Sequence, residues 1–220
     1  MKRSGVFQKL LCVLVSAAVF LCILTVSIGL PIYIRPFYYA HIEAMNLSGV
    51  SGYEEQQIRD AYDAVLDYLT LPGREFSTGE IAHSGEGKAH FEDCKVLFDL
   101  NLWVFLYAGT FLAAAFLLRR KFGPYRLGKH SACYYGALTA LILPVVLGGL
   151  AALDFDRAFE IFHTLFFPGK TNWLFNPHTD PIILVMPQEF FMHCAMLIGF
   201  GVLTFSVGIL LWERKRLKKG

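Results

Sequence analysis

The sequence predicts an all-α membrane protein with four transmembrane helices and a small extracellular cap. Apolar composition, four runs of bilayer length and a lopsided spread of basic residues carry that prediction. Of 220 residues, 55% are hydrophobic and 17% charged, and mean hydropathy is +0.47. A helix needs about 20 apolar residues to cross a hydrocarbon core of about 30 Å. The runs 10–30, 96–118, 131–153 and 190–212 each meet that length. Residues 31–95 and 154–189 then form the cap, and 1–220 is one integral membrane domain.

Charge sets the orientation. With the N-terminus in the cytoplasm, the inner segments hold Lys2, Arg3, Lys9, the cluster at 119–129 and the tail at 214–219. Together they carry 13 of the 20 Lys and Arg residues and one acidic residue, Glu213. The positive-inside rule therefore places both termini and the 119–130 loop in the cytoplasm and the cap outside. A cleaved signal peptide is the competing account of the first run. Signal h-regions span about 7–15 residues, and this run is longer, so a retained helix is expected. The basic tail is accounted for as a topology anchor, and nothing in the chain suggests nucleic-acid binding.

Taken in order, the first run ends at Pro31, and Tyr33, Phe37, Tyr38 and Tyr39 read as an aromatic belt. Ser51 and Glu54 have capping-box spacing. Ile58, Ala61, Tyr62, Val65, Leu66 and Leu69 then recur at helical spacing, predicting an amphipathic helix that ends before Pro72-Gly73. Its apolar stripe lies on the membrane or covers the segment at 159–191. The third run contains Pro144 and Gly148-Gly149, which predict a kink and a close approach of helices. Four cysteines fall in apolar runs, and Cys94 alone near the outer surface offers no disulfide framework.

The segment 159–191 is the most informative stretch. It interleaves aromatic rings and prolines with His163, His178 and three acidic residues between two apolar runs. Ordinary loops are rich in Gly, Ser, Asn and Asp instead. Amphipathic rings settle at the water–membrane boundary, so this stretch reads as the floor of a site there. A lone histidine at such a boundary is more often structural than catalytic, and His41, His130, His178 and His193 are assigned to the interface or to packing. The aromatic run alone is more often a belt than a pocket.

Two patterns change that weighting. One is His90-x-x-Asp93-x-Lys95 at the mouth of the second run. The other runs through Phe162-His163-x-x-Phe166-Phe167, Asn172-Trp173-x-Phe175-x-Pro177-x-x-Asp180 and Pro187-x-x-Phe190-Phe191. In order and spacing, over nearly the whole chain, these resemble the bacterial lipoprotein intramolecular transacylase family, with Cys94 where the family pattern has Val. The resemblance implies an acyltransferase of the bacterial cytoplasmic membrane with an outward-facing site. It moves the sn-2 acyl chain of a diacylglyceryl-modified lipoprotein to the α-amino group of the N-terminal cysteine. The product is the lyso form. His90 and His163 map to the family's catalytic histidines, with His83, in Glu80-Ile-Ala-His83, the other upstream candidate. The partners implied are lipidated lipoproteins and membrane lipid, with no cofactor and no metal.

The chemistry suits those residues. Imidazole titrates near 6.5 and an α-amine at about 7.7–8.0, so a histidine is matched to take the amine's proton and return it to the departing oxygen. Phe162, Phe166, Phe167, Trp173 and Phe175 are expected to grip lipid and exclude water, the competing nucleophile. Asp93 is expected to orient His90, and Asn172 or Lys95 to polarise the carbonyl, with Asp180 in support. Two other classes stay open from the residues alone. One is a metal-dependent membrane hydrolase or oxidase using Glu80-x-x-His83 and Glu160-x-x-His163. The other is a non-enzymatic lipid-binding scaffold.

Overall fold

The computed structural model describes residues 5–219, with side chains throughout except at 143–145, 147 and 150–153. The helices are α1 (Gly5–Tyr33), α2 (Arg35–Ala44), α3 (Leu47–Ser51), α4 (Glu55–Thr70), α5 (Gly85–Phe122), α6 (Ala132–Leu153), α7 (Phe155–Phe166), α8 (Ile182–Val185) and α9 (Gln188–Lys219). A two-residue turn joins β1 (Arg126–Leu127) to β2 (His130–Ser131) antiparallel, at the end of the predicted 119–130 loop and one residue past it. Among the described residues, α1, α5 and α9 are long and apolar enough to cross a membrane. The 22 residues of α6 fall on the third predicted span. At 1.5 Å per residue they also match the thickness of a hydrocarbon core.

The chain forms two compact units. One comprises α1 as far as Gly29, residues Asn101–Ala152, and α9 from Ile198. Val19, Ile23, Ala137, Ala140 and Val202 make one core cluster there, and Cys12, Val15, Ala115 and Ala132 another. The close approach of helices falls at Gly136, not at Gly148-Gly149. A Cβ on Gly136 would meet Ser16 O at 2.6 Å and Val19 Cβ at 2.7 Å, whereas one on either of the other two meets nothing within 4 Å among the described residues. The Pro144 side chain, and with it the expected kink, lies outside the described residues. The buried Glu213 accepts from Ser131 N at 2.9 Å, Ser131 Oγ at 3.0 Å and Arg216 at 2.5 Å. A buried carboxylate needs such partners, and these tie the end of α9 to β2.

The other unit, Leu30–Leu100 with Leu153–Leu197, carries the predicted amphipathic helix. All six stripe residues of α4 are buried, packed with Tyr38, Ile42, Leu47, Ile182, Val185, Met186 and Phe190. The stripe therefore covers the end of the 159–191 segment and does not lie on the membrane. The capping box sits three residues later than the Ser51–Glu54 spacing predicts: Glu54 N donates to Gln57 Oε1 at 2.9 Å. Ser51 instead donates to Leu47 O inside α3. The aromatic belt also needs correction. Tyr38 is fully buried, stacks on Tyr62 at 3.7 Å and donates to Val185 O at 2.6 Å, while Tyr33 stays 59% exposed. A phenol whose hydroxyl finds a carbonyl serves a core as well as an interface.

Candidate active site

Two helices of this second unit carry the candidate residues. At the start of α5, Ser84 Oγ accepts Gly87 N at 3.0 Å and Asp180 Oδ1 accepts Ser84 N at 2.7 Å, so exposed helix donors are met from both sides. His90 and Cys94 follow four residues apart, on one face of the helix. At the start of α7, Asp154 Oδ1 accepts Arg157 N at 2.9 Å, and His163 lies in the last turn.

The two histidines meet. Their ring centroids are 5.8 Å apart, and each residue is 7% exposed. Phe167 touches both rings, at 5.1 Å from His90 and 5.8 Å from His163. Phe175 stands edge-on to His90 at 5.4 Å, and Trp173 stacks on His163 at 4.7 Å. Phe162 lies 5.4 Å from His163 and carries Phe166 at 4.7 Å on its outer side, both about half exposed. Of the five predicted lipid-binding rings, three enclose the histidines and two extend the apolar surface outward.

Hydrogen bonding fixes the protons. His163 Nδ1 donates to Phe159 O at 2.8 Å, since a carbonyl can only accept, which leaves Nε2 as a lone pair. Burial lowers the His163 pKa against that bond, which opposes the shift. Burial, then the neighbouring His163, pushes His90 down to about 4, with Asp93 pulling the other way. Both rings are therefore neutral at pH 7. His90 Nε2 lies 3.4 Å from Cys94 Sγ, and its Nδ1 is buried with no partner among the described residues. Burial pushes the Cys94 thiol up to about 12, so it remains S–H.

The remaining candidates fall in distinct places. Asp93 makes no hydrogen bond to His90. It binds Lys170 and accepts Asn172 Nδ2 at 3.1 Å, joining α5 to the loop at 167–181. Burial opposes ionisation of Asp93, yet Lys170 and Asn172 outweigh it and hold the carboxyl below its usual range. Lys95 turns to Tyr68, donating to its carbonyl at 2.5 Å. Asp180 is buried at the start of α5, where its bonds to Ser84 and Thr179 outweigh burial and keep it ionised. His83 pairs with Thr78 at 3.0 Å and packs on Phe76, so His90 is the upstream histidine that faces His163. Gln57 holds Glu80, and Arg157 holds Glu160. Among the described residues, no three His, Cys, Asp or Glu side chains converge in an arrangement suited to a metal ion. His41 and His193, assigned to the interface or to packing, bond to each other at 3.1 Å.

Sequence reasoning missed Lys170, Gly87 and the Cys94–His90 contact. Gly87 has a legible reason only in three dimensions: a Cβ there would overlap Asp180 Oδ1 and lie 3.0 Å from its Cγ.

Long apolar helices beside a buried pair of neutral histidines, one with a fixed lone pair, describe a helical membrane protein with a site suited to acid–base chemistry. The comparisons with known proteins specify it further. The family model for lipoprotein intramolecular transacylase Lit matches residues 13–191, and the chain belongs to that family. Its structure is similar to that of the membrane integral transacylase from Bacillus cereus, with a TM-score of 0.89, 26% identity and 98% of each chain covered. Two structures of that protein with one histidine replaced, by arginine or by alanine, each match at TM-score 0.81 and 25% identity. They cover 98% of this chain and 94% or 96% of theirs. No curated protein sequence matches. The protein is an integral membrane acyltransferase, a lipoprotein intramolecular transacylase.

Proposed function

We propose that His163 is the general base and His90 the hydrogen-bond donor in transfer of the sn-2 acyl chain to the α-amino group of the same lipoprotein's N-terminal cysteine. The observation that carries this reading is the lone pair of His163 Nε2, fixed by the Phe159 carbonyl, beside the unpartnered Nδ1 of His90. The α-amine attacks the ester carbonyl while His163 Nε2 takes its proton. The N–C bond forms, the C–O bond to the glyceryl oxygen breaks, and His163 returns the proton to that oxygen. In this reading the Cys94 S–H donates to His90 Nε2, 3.4 Å away, so that Nδ1 carries the ring's proton and donates to the carbonyl oxygen as charge develops there. Holding amine and ester in one molecule contributes up to about 7–11 kcal/mol when they are well oriented. Phe167, Trp173 and Phe175 keep out water, which would otherwise turn transfer into hydrolysis.

The acid limb of the rate profile tests these roles. Both histidines act from their neutral forms, which prevail above their lowered pKa values, so activity rises with pH as the substrate ammonium deprotonates at about 7.7–8.0 and then levels off. Measured kcat/KM that falls as pH rises through 6–7 would mean an imidazolium is required, and would overturn the assignment.

The site faces away from the cytoplasm of a bacterial membrane in this reading. Arg119–Lys121 closing α5 and Arg216, Lys218 and Lys219 closing α9 support it. Over the background of the native cysteines, Thr171→Cys reacts with an impermeant thiol reagent added outside intact cells, and Lys129→Cys does not. Reversed labelling would place the site inside and sink the orientation.

A further inference from the structure

Asn172 has an amide in an unusual position. Its Nδ2 is committed to Asp93 at 3.1 Å, and a carboxylate only accepts, so the amide cannot turn over without breaking that bond. Its Oδ1 is thereby aimed away from Asp93, shielded from solvent and without a hydrogen-bond partner among the described residues. Leaving a buried acceptor unmet is costly, and native structures rarely do it without a functional reason. The surroundings say where the amide stands. Its anchor Asp93 lies one turn past His90, and its neighbour Trp173 stacks on His163. Asn172 also lines a cavity of about 450 Å³ with Ser84, Phe175, Asn176 and Thr179.

We propose that Asn172 Oδ1 accepts one N–H of the substrate's α-amino group and so fixes the direction of attack. This rests on the function proposed above. A neutral primary amine has two hydrogens and one lone pair, at roughly tetrahedral angles. His163 Nε2 receives one hydrogen and Asn172 Oδ1 the other, which leaves the lone pair aimed at the ester carbonyl. The proton that leaves is the one on His163. The hydrogen held by Asn172 stays on nitrogen and becomes the N–H of the amide product. A glyceryl hydroxyl has a single hydrogen and leaves one of the two acceptors unmet. The pair therefore favours nitrogen over oxygen as the acyl acceptor, the kind of discrimination that buried polar groups supply. The cavity beside Asn172 gives the peptide that follows the cysteine a way out.

Binding of an inert substrate mimic tests the contact without chemistry. The probe is a short lipopeptide with two ether-linked alkyl chains on its glyceryl-cysteine, compared with the same molecule lacking the α-amine. The full-length protein in detergent binds the amine form about tenfold tighter, the scale of one hydrogen bond to an otherwise unmet buried acceptor. Asn172→Ala loses that preference while binding the des-amino probe within about twofold of wild type. Asn172→Leu, which matches the amide in size and offers no acceptor, loses the preference as well, and carries the test if the alanine variant fails to fold. Equal binding of both probes by wild type, or an undiminished preference in Asn172→Ala or Asn172→Leu, overturns the proposal. Failure of the underlying reading shows separately, as absence of N-acyl product from wild type and the natural diester.

Discussion

His163→Ala loses about 10²–10⁴-fold in transfer rate, the span that a positioned general base contributes. His90→Ala loses about 10²–10³-fold, the scale of one donor to a developing oxyanion. The effects on kcat are the informative ones, because both groups act as charge develops and neither grips the lipid. Neither substitution dismantles the unit. The hydrogen bond of His163 runs to the carbonyl of its own helix, and Nδ1 of His90 makes none among the described residues. Melting temperatures in detergent fall by no more than the cavity left among the surrounding rings requires, and a matched His83→Ala variant, altered where Thr78 and Phe76 sit, retains its activity. A fully active His163→Ala, or a dead His83→Ala beside an active His90→Ala, would contradict the assignment.

Gly87→Ala produces the largest effect of any substitution outside the histidine pair. Its Cβ would overlap Asp180 Oδ1, and that oxygen is the acceptor for Ser84 N at the start of α5. An exposed carboxylate would swing aside, but Asp180 is buried and held by Thr179 as well. Either the cap breaks or the first turn of α5 shifts. Overpacking costs about 1–3 kcal/mol, and a lost cap costs about 0.5–2 kcal/mol, so melting falls by several degrees. Activity falls with it, because His90 is three residues further along the same helix. Asp180→Ala removes the cap and the clash together. The double variant is consequently more stable than the sum of the two single losses allows, a coupling that a double-mutant cycle reads directly. Additive losses would mean that the two positions act independently.

The parts of this molecule that were legible in its sequence are those written locally. The four apolar runs fall on α1, α5, α6 and α9 because length and hydropathy suffice to mark a span. The stripe from Ile58 to Leu69 was legible because helical period is a local signal. Whether Tyr38 belongs to a membrane belt or a core was not, since a ring followed by polar neighbours suits both, and only the carbonyl of Val185 decides. The histidine pair joins residues 73 positions apart in the sequence. Family motifs named both partners, but nothing local showed that His90 rather than His83 faces His163. Lys170 and Gly87 left no trace, because each is defined by a carboxylate in a distant segment, Asp93 in one case and Asp180 in the other.

Acyl crossover tests the central claim most directly. The protein is incubated with a mixture of two diacylglyceryl lipoproteins that differ in peptide sequence, one with light acyl chains and the other with heavy. The N-terminal lipopeptides are then weighed and fragmented. Direct transfer from oxygen to nitrogen within one substrate, assisted by His163 and His90, leaves each lipopeptide at the mass of its own precursor. Fragmentation then shows an acylated nitrogen and a monoacylglyceryl group, with heavy chains only on the heavy peptide. A heavy acyl chain on the nitrogen of the light peptide, or a product heavier by one chain, would contradict the account, because the acyl group would then have come from another molecule.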